Sequence, residues 1–280
     1  MEKQPVFTLN CRGRLLVLEQ PVVMGIINTT PDSFYGNSRQ PEIAAGVDRA
    51  GQMLAQGAAM LDLGGQSTKP GNPQITAAEE ADRVVPMVAT IHQAFPEAYI
   101  SIDTYYASVA RQAVEAGACI INDISGGMAD ADMLTTAADL RTPFVCMHMK
   151  GSPENMQQQA SYENVTREVL DFFIAQTERC RLAGIHDVIL DPGFGFAKTA
   201  AHNFQLLREL GLFRTLQKPV LLGISRKGTI YKTLAVTPEE ALNGTTVLHT
   251  IGLLQGAAIL RAHDVKEAKE AITLVKACQA

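Results

Sequence analysis

The sequence has no block of lysine or arginine, and its 24 basic against 29 acidic residues leave a net charge of −5. Nothing in that balance draws the chain to nucleic acid. No stretch reaches the roughly 18 uninterrupted apolar residues of a membrane-spanning helix, and the opening MEKQPVFTLNCRGR lacks the apolar core of a secretory leader. Cysteine is scarce. Cys11, Cys119, Cys146, Cys180 and Cys278 are odd in number, widely scattered and form no C-x-x-C pair, which argues against a disulfide framework or a thiolate metal centre. No G-x-G-x-x-G follows the first long apolar strand, so the usual dinucleotide fingerprint is missing as well. The expectation is a soluble, cytoplasmic protein.

What the chain does contain is alternation. With 280 residues, 46% hydrophobic and 19% charged, it suits one domain over residues 1–280, a size that α/β barrels reach undivided. Two short alternating runs, Val6 to Leu9 and Leu15 to Leu18, flank NCRGR and predict a β-hairpin. Val22 to Ile27 is a continuous apolar run that stops at Asn28, as expected of a strand buried in a parallel sheet. From there strand-like runs and helix-period segments succeed one another eight times without a composition break. Thr76 and Glu79 form a capping-box pattern, and Gly57, Gly117 and Gly184 mark helix ends. Eight such units close a (β/α)₈ barrel; an open doubly wound sheet is the other arrangement they allow.

In either arrangement chemistry gathers where strands end. Those ends carry Asn28, Asp62, Asp103, Asn122 with Asp123, His148, Asp191, Arg226 with Lys227, and Arg261 with His263, while Thr68 and Lys69 lie in the loop after Asp62. Any one Asp or Asn there could be a helix cap, but the set as a whole has a pattern. Carboxylates and amides (Asp103, Asn122, Asp191) suit a ligand rich in N–H donors, such as an aminopyrimidine or pterin edge. The cations fall on the last two units, where this fold commonly binds phosphate. Amide groups and few carboxylates near a phosphate favour Mg²⁺ carried by the substrate over a caged metal.

The segments MGIINTTPDSF, LDLGGQSTKPG, SIDTY, INDISGG, MHMKGSP, ILDPGFGFAK, GISRKG and RAHDV follow one another from Met24 to Val265. In content and order they resemble dihydropteroate synthase, a folate-pathway family with a (β/α)₈ fold. The resemblance implies condensation of a dihydropterin methyl diphosphate with 4-aminobenzoate, releasing diphosphate with Mg²⁺ present. Carried over motif by motif, Asp103, Asn122, Asp191 and Lys227 would hold the pterin between Met147 and Phe196. Asn28, Arg261 and His263 would take the diphosphate, with Asn28 also near Mg²⁺. Phe34, Thr68, Pro70, Ser225 and Arg226 would shape the p-aminobenzoate pocket. Asp103, Lys227 and Asn28 would carry the catalytic weight, with diphosphate leaving first in an SN1-like reaction. The family commonly pairs through late helices, so a homodimer through Ala241 to Leu254 and Val265 to Cys278 is expected, with small-molecule substrates as the remaining partners.

The chain departs from the family pattern at Gln66 and Lys69, where GGESTRPG is usual, at Tyr35 and Asn37 in the first loop, and at Ala197, commonly glycine. Lys69 keeps a charge but loses the planar fork of arginine. Two other readings share the pterin-holding positions: a methyltransferase passing a folate methyl group to a corrinoid protein, and a catalytically silent pterin-binding barrel. The first has no need of the SRKG and RAHDV cations, which answer a diphosphate.

Overall fold

The computed structural model of the chain describes residues 5–29, 39–66 and 74–279, with the side chains of 39–41 left aside. It opens with an antiparallel hairpin, β1 (Phe7–Cys11) and β2 (Arg14–Leu18), turning at Gly13 with φ 87°. Eight parallel strands follow: β3 (Val22–Asn28), β4 (Met60–Gly64), β5 (Tyr99–Asp103), β6 (Ile120–Asp123), β7 (Phe144–Met147), β8 (Val188–Asp191), β9 (Leu221–Leu222) and β10 (Ile259–Ala262). Each pairs with its sequence neighbour from β3 to β8, β10 pairs with both β9 and β3, and a Leu190–Val220 bridge joins β8 to the start of β9. The sheet therefore closes on itself. This is the (β/α)₈ barrel with an N-terminal hairpin that the alternation predicts.

Helices α1 (Arg39–Ala55), α2 (Ala77–Ala94), α3 (Ala107–Glu115), α4 (Met133–Leu140), α5 (Val165–Ala183), α6 (Ala200–Arg208), α7 (Gly228–Leu234), α8 (Leu242–Leu254) and α9 (Val265–Gln279) return the chain between strands and follow the last. The capping box forms at α2, where Thr76 Oγ1 accepts from the Glu79 amide at 3.2 Å and the Thr76 amide donates to Glu79 Oε2 at 2.9 Å. Gly184 ends α5 in the left-handed conformation, φ 95°. The seven residues of α7, GTIYKTL, are too few to display a helical period in the sequence. Val220 to Ile224 is an apolar run broken only by Gly223, yet the paired strand within it is two residues long.

Side chains on a strand alternate in direction, and that alternation divides the barrel into layers. The floor is apolar: Met60, Ile120, Val145, Ile189, Leu221 and Ile259 pack together with Leu9, Leu16 and Leu18 of the hairpin. The hairpin covers the end where strands begin, held there by Arg12 Nη1 on the Val114 carbonyl (2.6 Å) and Arg14 Nη2 on the Ala98 carbonyl (3.1 Å). Two residues further along the same strands stand Asp62, Asn122, Asp191 and Arg261. A barrel whose floor is closed by aliphatic chains thus opens, one pleat higher, on charged and amide groups.

Candidate active site

Register sets the first contacts. Asp103 pairs with Gly64 on one side and Asn122 on the other, and Met147 pairs with Asp191. Across the barrel, Arg261 Nε donates to Asp62 Oδ2 and its Nη2 to Asp103 Oδ2, both at 2.6 Å. Asn122 Nδ2 donates to the same Asp62 oxygen at 3.0 Å. Asp62 is fully buried, and its Oδ1 has no hydrogen-bond partner among the described residues. Burial alone would lower the Arg261 guanidinium, but Asp62 and Asp103 outweigh it and hold it above its ordinary value. Three of the five N–H donors of the guanidinium remain available to a ligand.

Asp103 is itself poised. Burial pushes its carboxyl up to about 7 while Arg261 pulls it back. Asp191 is likewise raised by burial, opposed chiefly by the Lys227 ammonium, and accepts from the Gly193 amide at 2.7 Å. Lys227 donates to the Phe194 carbonyl at 2.5 Å and sits 4.5 Å from the centre of the Phe196 ring. Burial pushes it down to about 8 against the pull of Asp191. Met147 and Phe196 belong to a small apolar cluster with Tyr105, Ile124, Met149 and Met156. An apolar cluster flanked by acceptors and one half-buried ammonium suits a flat ring with N–H groups on its edge.

On the late strands Ser225 Oγ lies 3.0 Å from His263 Nδ1 and accepts from the His263 amide at 3.2 Å. One ring nitrogen of His263 is thus held by Ser225, and the other is left to meet a ligand. Burial, then Arg261, push His263 down to about 4, so it donates as a neutral imidazole. Asn28 ends β3 with its side chain exposed, and Thr29 after it bonds twice to the Gly64 carbonyl. Among the described residues no group of three or more His, Cys, Asp or Glu converges as a metal cage. One amide oxygen beside an anion-binding rim fits a magnesium ion that is carried mainly by phosphate oxygens.

The Arg226 guanidinium faces elsewhere. It makes a two-point pair with Asp264 (2.8 and 3.0 Å) and donates to the carbonyls of Pro238 and Glu239, which anchors the segment leading into α8. Phe34, Thr68 and Pro70, with Tyr35, Asn37 and Lys69, lie outside the described residues. Gln66 exchanges hydrogen bonds with Tyr105, Nε2 to the phenol oxygen at 2.9 Å. Ala197 takes φ 49° in a buried position, a left-handed backbone that the glycine common there would adopt without a Cβ penalty.

Two residues escaped the sequence reading as site groups. Asp62 was visible as a strand end but not as the buried counter-ion of Arg261. Lys198 gave no signal beyond its place in GFGFAK.

The pterin binding enzyme family matches residues 24–263. The dihydropteroate synthase of Escherichia coli strain K12 is 42% identical over 271 residues, covering 96% of this chain and 95% of that protein. The chain belongs to the dihydropteroate synthase family. Among solved members, the Xanthomonas albilineans dihydropteroate synthase with 4-aminobenzoic acid has a TM-score of 0.92 at 37% identity, covering 99% of both chains. The Yersinia pestis dihydropteroate synthase in complex with a sulfonamide drug has a TM-score of 0.91 at 40% identity, covering 98% of this chain and 99% of that one. The dihydropteroate synthase fold is thus shared over essentially the whole length.

Proposed function

We propose that this protein is a dihydropteroate synthase, joining (7,8-dihydropterin-6-yl)methyl diphosphate to 4-aminobenzoate. The observation that carries the reading is the juxtaposition at one barrel mouth of an acceptor-lined apolar slot (Asp103, Asn122, Asp191, Met147, Phe196) and a donor-lined rim (Arg261, His263). Asp103 and Asp191 accept from ring N–H groups, and Lys227 donates to the ring from the other side. Arg261, neutral His263 and Asn28 hold the diphosphate. Magnesium, when bound, neutralises charge on the departing diphosphate. The bond from the methylene carbon to the diphosphate oxygen breaks first, and its electron pair leaves with the diphosphate. The positive charge left behind spreads into the ring beside Asp103, a fixed carboxylate in a water-poor site, where such stabilisation is strongest. The arylamine nitrogen then forms the new bond to that carbon and releases a proton. Positioning does more here than a strong base. Ser225 and the segment tied by Arg226, together with Phe34, Thr68 and Pro70, shape the p-aminobenzoate side.

Diphosphate release from the pterin substrate tests this directly. Release that needs both 4-aminobenzoate and Mg²⁺, and stops with EDTA, is expected. Tight pterin binding with no release would restore the reading of a silent pterin-binding barrel.

We further infer one domain over residues 1–280 and a homodimer through α8 and α9. Val247, Ile251 and Leu254 form an exposed apolar stripe on α8, 49%, 38% and 56% accessible, and Leu274 on α9 is 67% accessible. Their spacing puts the α8 residues on one face. No described helix is long and apolar enough to cross a membrane, and unpaired thiols at all five cysteines suit a reducing compartment such as the cytoplasm. After gentle lysis the protein should stay in the cytosolic fraction and give the mass of two 30.2 kDa chains by light scattering. A membrane-bound fraction or a monomer at micromolar concentration would overturn this part.

A further inference from the structure

Behind the slot, a ring of main-chain oxygens closes around one lysine that the reaction does not use. Lys198, in the loop between β8 and α6, is only 3% exposed. Its Nζ donates to the carbonyls of Phe196 (3.0 Å), Gly193 (3.1 Å) and His148 (3.2 Å), and lies 3.0 Å from His148 Nδ1. Burial pushes this ammonium down to about 7 while Asp191 pulls it back up, and four acceptors around three N–H donors favour the charged form over a neutral amine with only two. Burial and the neighbouring Lys198 push His148 down to about 2, which leaves its imidazole neutral and Nδ1 an acceptor.

The acceptors come from two different segments. His148 follows directly on β7, while Gly193 and Phe196 belong to the loop after β8. These segments already run very close: the His148 amide donates to the Asp191 carbonyl at 2.9 Å, and a Cβ added to Gly193 (φ 70°) would lie 2.0 Å from the His148 carbonyl oxygen. Carbonyl dipoles converging at this spacing repel one another unless a cation stands between them. Met147 directly precedes His148, Phe196 supplies one of the carbonyls, and Asp191 stands two residues before Gly193.

We propose that Lys198 is a positioning residue for pterin binding, tying the end of β7 to the β8–α6 loop so that Met147, Asp191 and Phe196 stand in the geometry that receives the ring. It touches no substrate itself. The inference rests on the pterin site proposed above and deepens it: the pterin half of the pocket is set by an internal cation, while the diphosphate rim at the ends of β3 and β10 is independent of it.

The test is a titration of Lys198→Met, which keeps the stem and removes the ammonium, with 6-hydroxymethyl-7,8-dihydropterin, a ligand without a leaving group. Its dissociation constant is expected to rise about ten- to a hundredfold, as for small misplacements of binding groups. The KM for the pterin substrate should rise in step while kcat moves far less. Lys150→Met removes a nearby cation that pairs with Glu168 at 2.7 Å and should leave the constant unchanged. A Lys198→Met protein that melts earlier yet binds the pterin like the parent would overturn the proposal, since the lysine would then serve stability alone. Should Lys198→Met not fold, Lys198→Gln retains two donors without the charge; unchanged pterin affinity there overturns the proposal equally. Asp191→Asn run alongside separates the two levels: if it too binds like the parent, the pterin site itself is misassigned.

Discussion

Replacing Lys227 with methionine is expected to lower kcat/KM for the pterin diphosphate by about 10²–10³, the usual loss for one preorganised donor in a closed site, and to remove the alkaline limb of its pH profile. The lysine is placed by its own backbone. It caps α7 at φ −78° and ψ 161°, and its chain runs over the Phe196 ring to the Phe194 carbonyl. A Cβ at Gly223 would fall 3.5 Å from Asp191 Oδ2 and 3.9 Å from Lys227 Nζ, so the ammonium and that carboxylate border the same small space. Methionine would fill the volume but leave Asp191, 5% exposed, without its main neutralising partner. The signs of the titrations follow from the roles. Asp103 must be ionised to accept from the ring, and burial raises its carboxyl to about 7, so activity falls as pH drops through that value. Lys227 must be protonated to donate, and burial lowers it to about 8, so activity falls again as pH rises past it. A bell in kcat/KM, which reports the free enzyme, is therefore expected in the parent, and only its acid side in Lys227→Met. A parent profile flat through this window would show that neither group titrates in binding.

Replacing Arg261 with methionine should destabilise the fold by about 3–5 kcal/mol, the range for removing one partner of a buried ion pair. For a chain of this size that is a fall in melting temperature on the order of 10 °C. The reason lies with Asp62, which has no accessible surface and keeps only the Asn122 amide once the guanidinium is gone. Asp103, 12% exposed at its side chain, loses its nearest cation as well. The double variant Asp62→Asn, Arg261→Met should recover part of the loss, because it no longer leaves the Asp62 charge buried and unpaired, and the non-additivity measures the coupling. Thermal or denaturant melts read four proteins, the parent, Asp62→Asn, Arg261→Met and the double variant; a single transition in the parent accords with one domain. An Arg261→Met protein within about 0.5 kcal/mol of the parent, the range of ordinary surface substitutions, would mean that water reaches Asp62 and that the pair contributes little.

Much of this molecule can be read along the chain. Runs such as Val22 to Ile27 are apolar at every position because both faces are covered, and each ends at a polar residue where the strand leaves the barrel. That pattern determined the eight units, the hairpin ahead of them, the Thr76 cap and the Gly184 stop, because each depends on neighbours within a few residues. It also marked Asp103, Asn122, Asp191 and Arg261, because each is a polar residue standing where an apolar strand ends. Tertiary structure alone decided which of those ends meet. Arg261 and Asp62 are 199 residues apart, and they touch because β10 closes onto β3, which leaves a single strand between β10 and β4. The same closure turned Arg226 toward Asp264, 38 residues on, and gathered three carbonyls around Lys198. No local pattern encodes a ring of backbone oxygens, for backbone carbonyls are the same in every residue and only the path of the chain can make them converge.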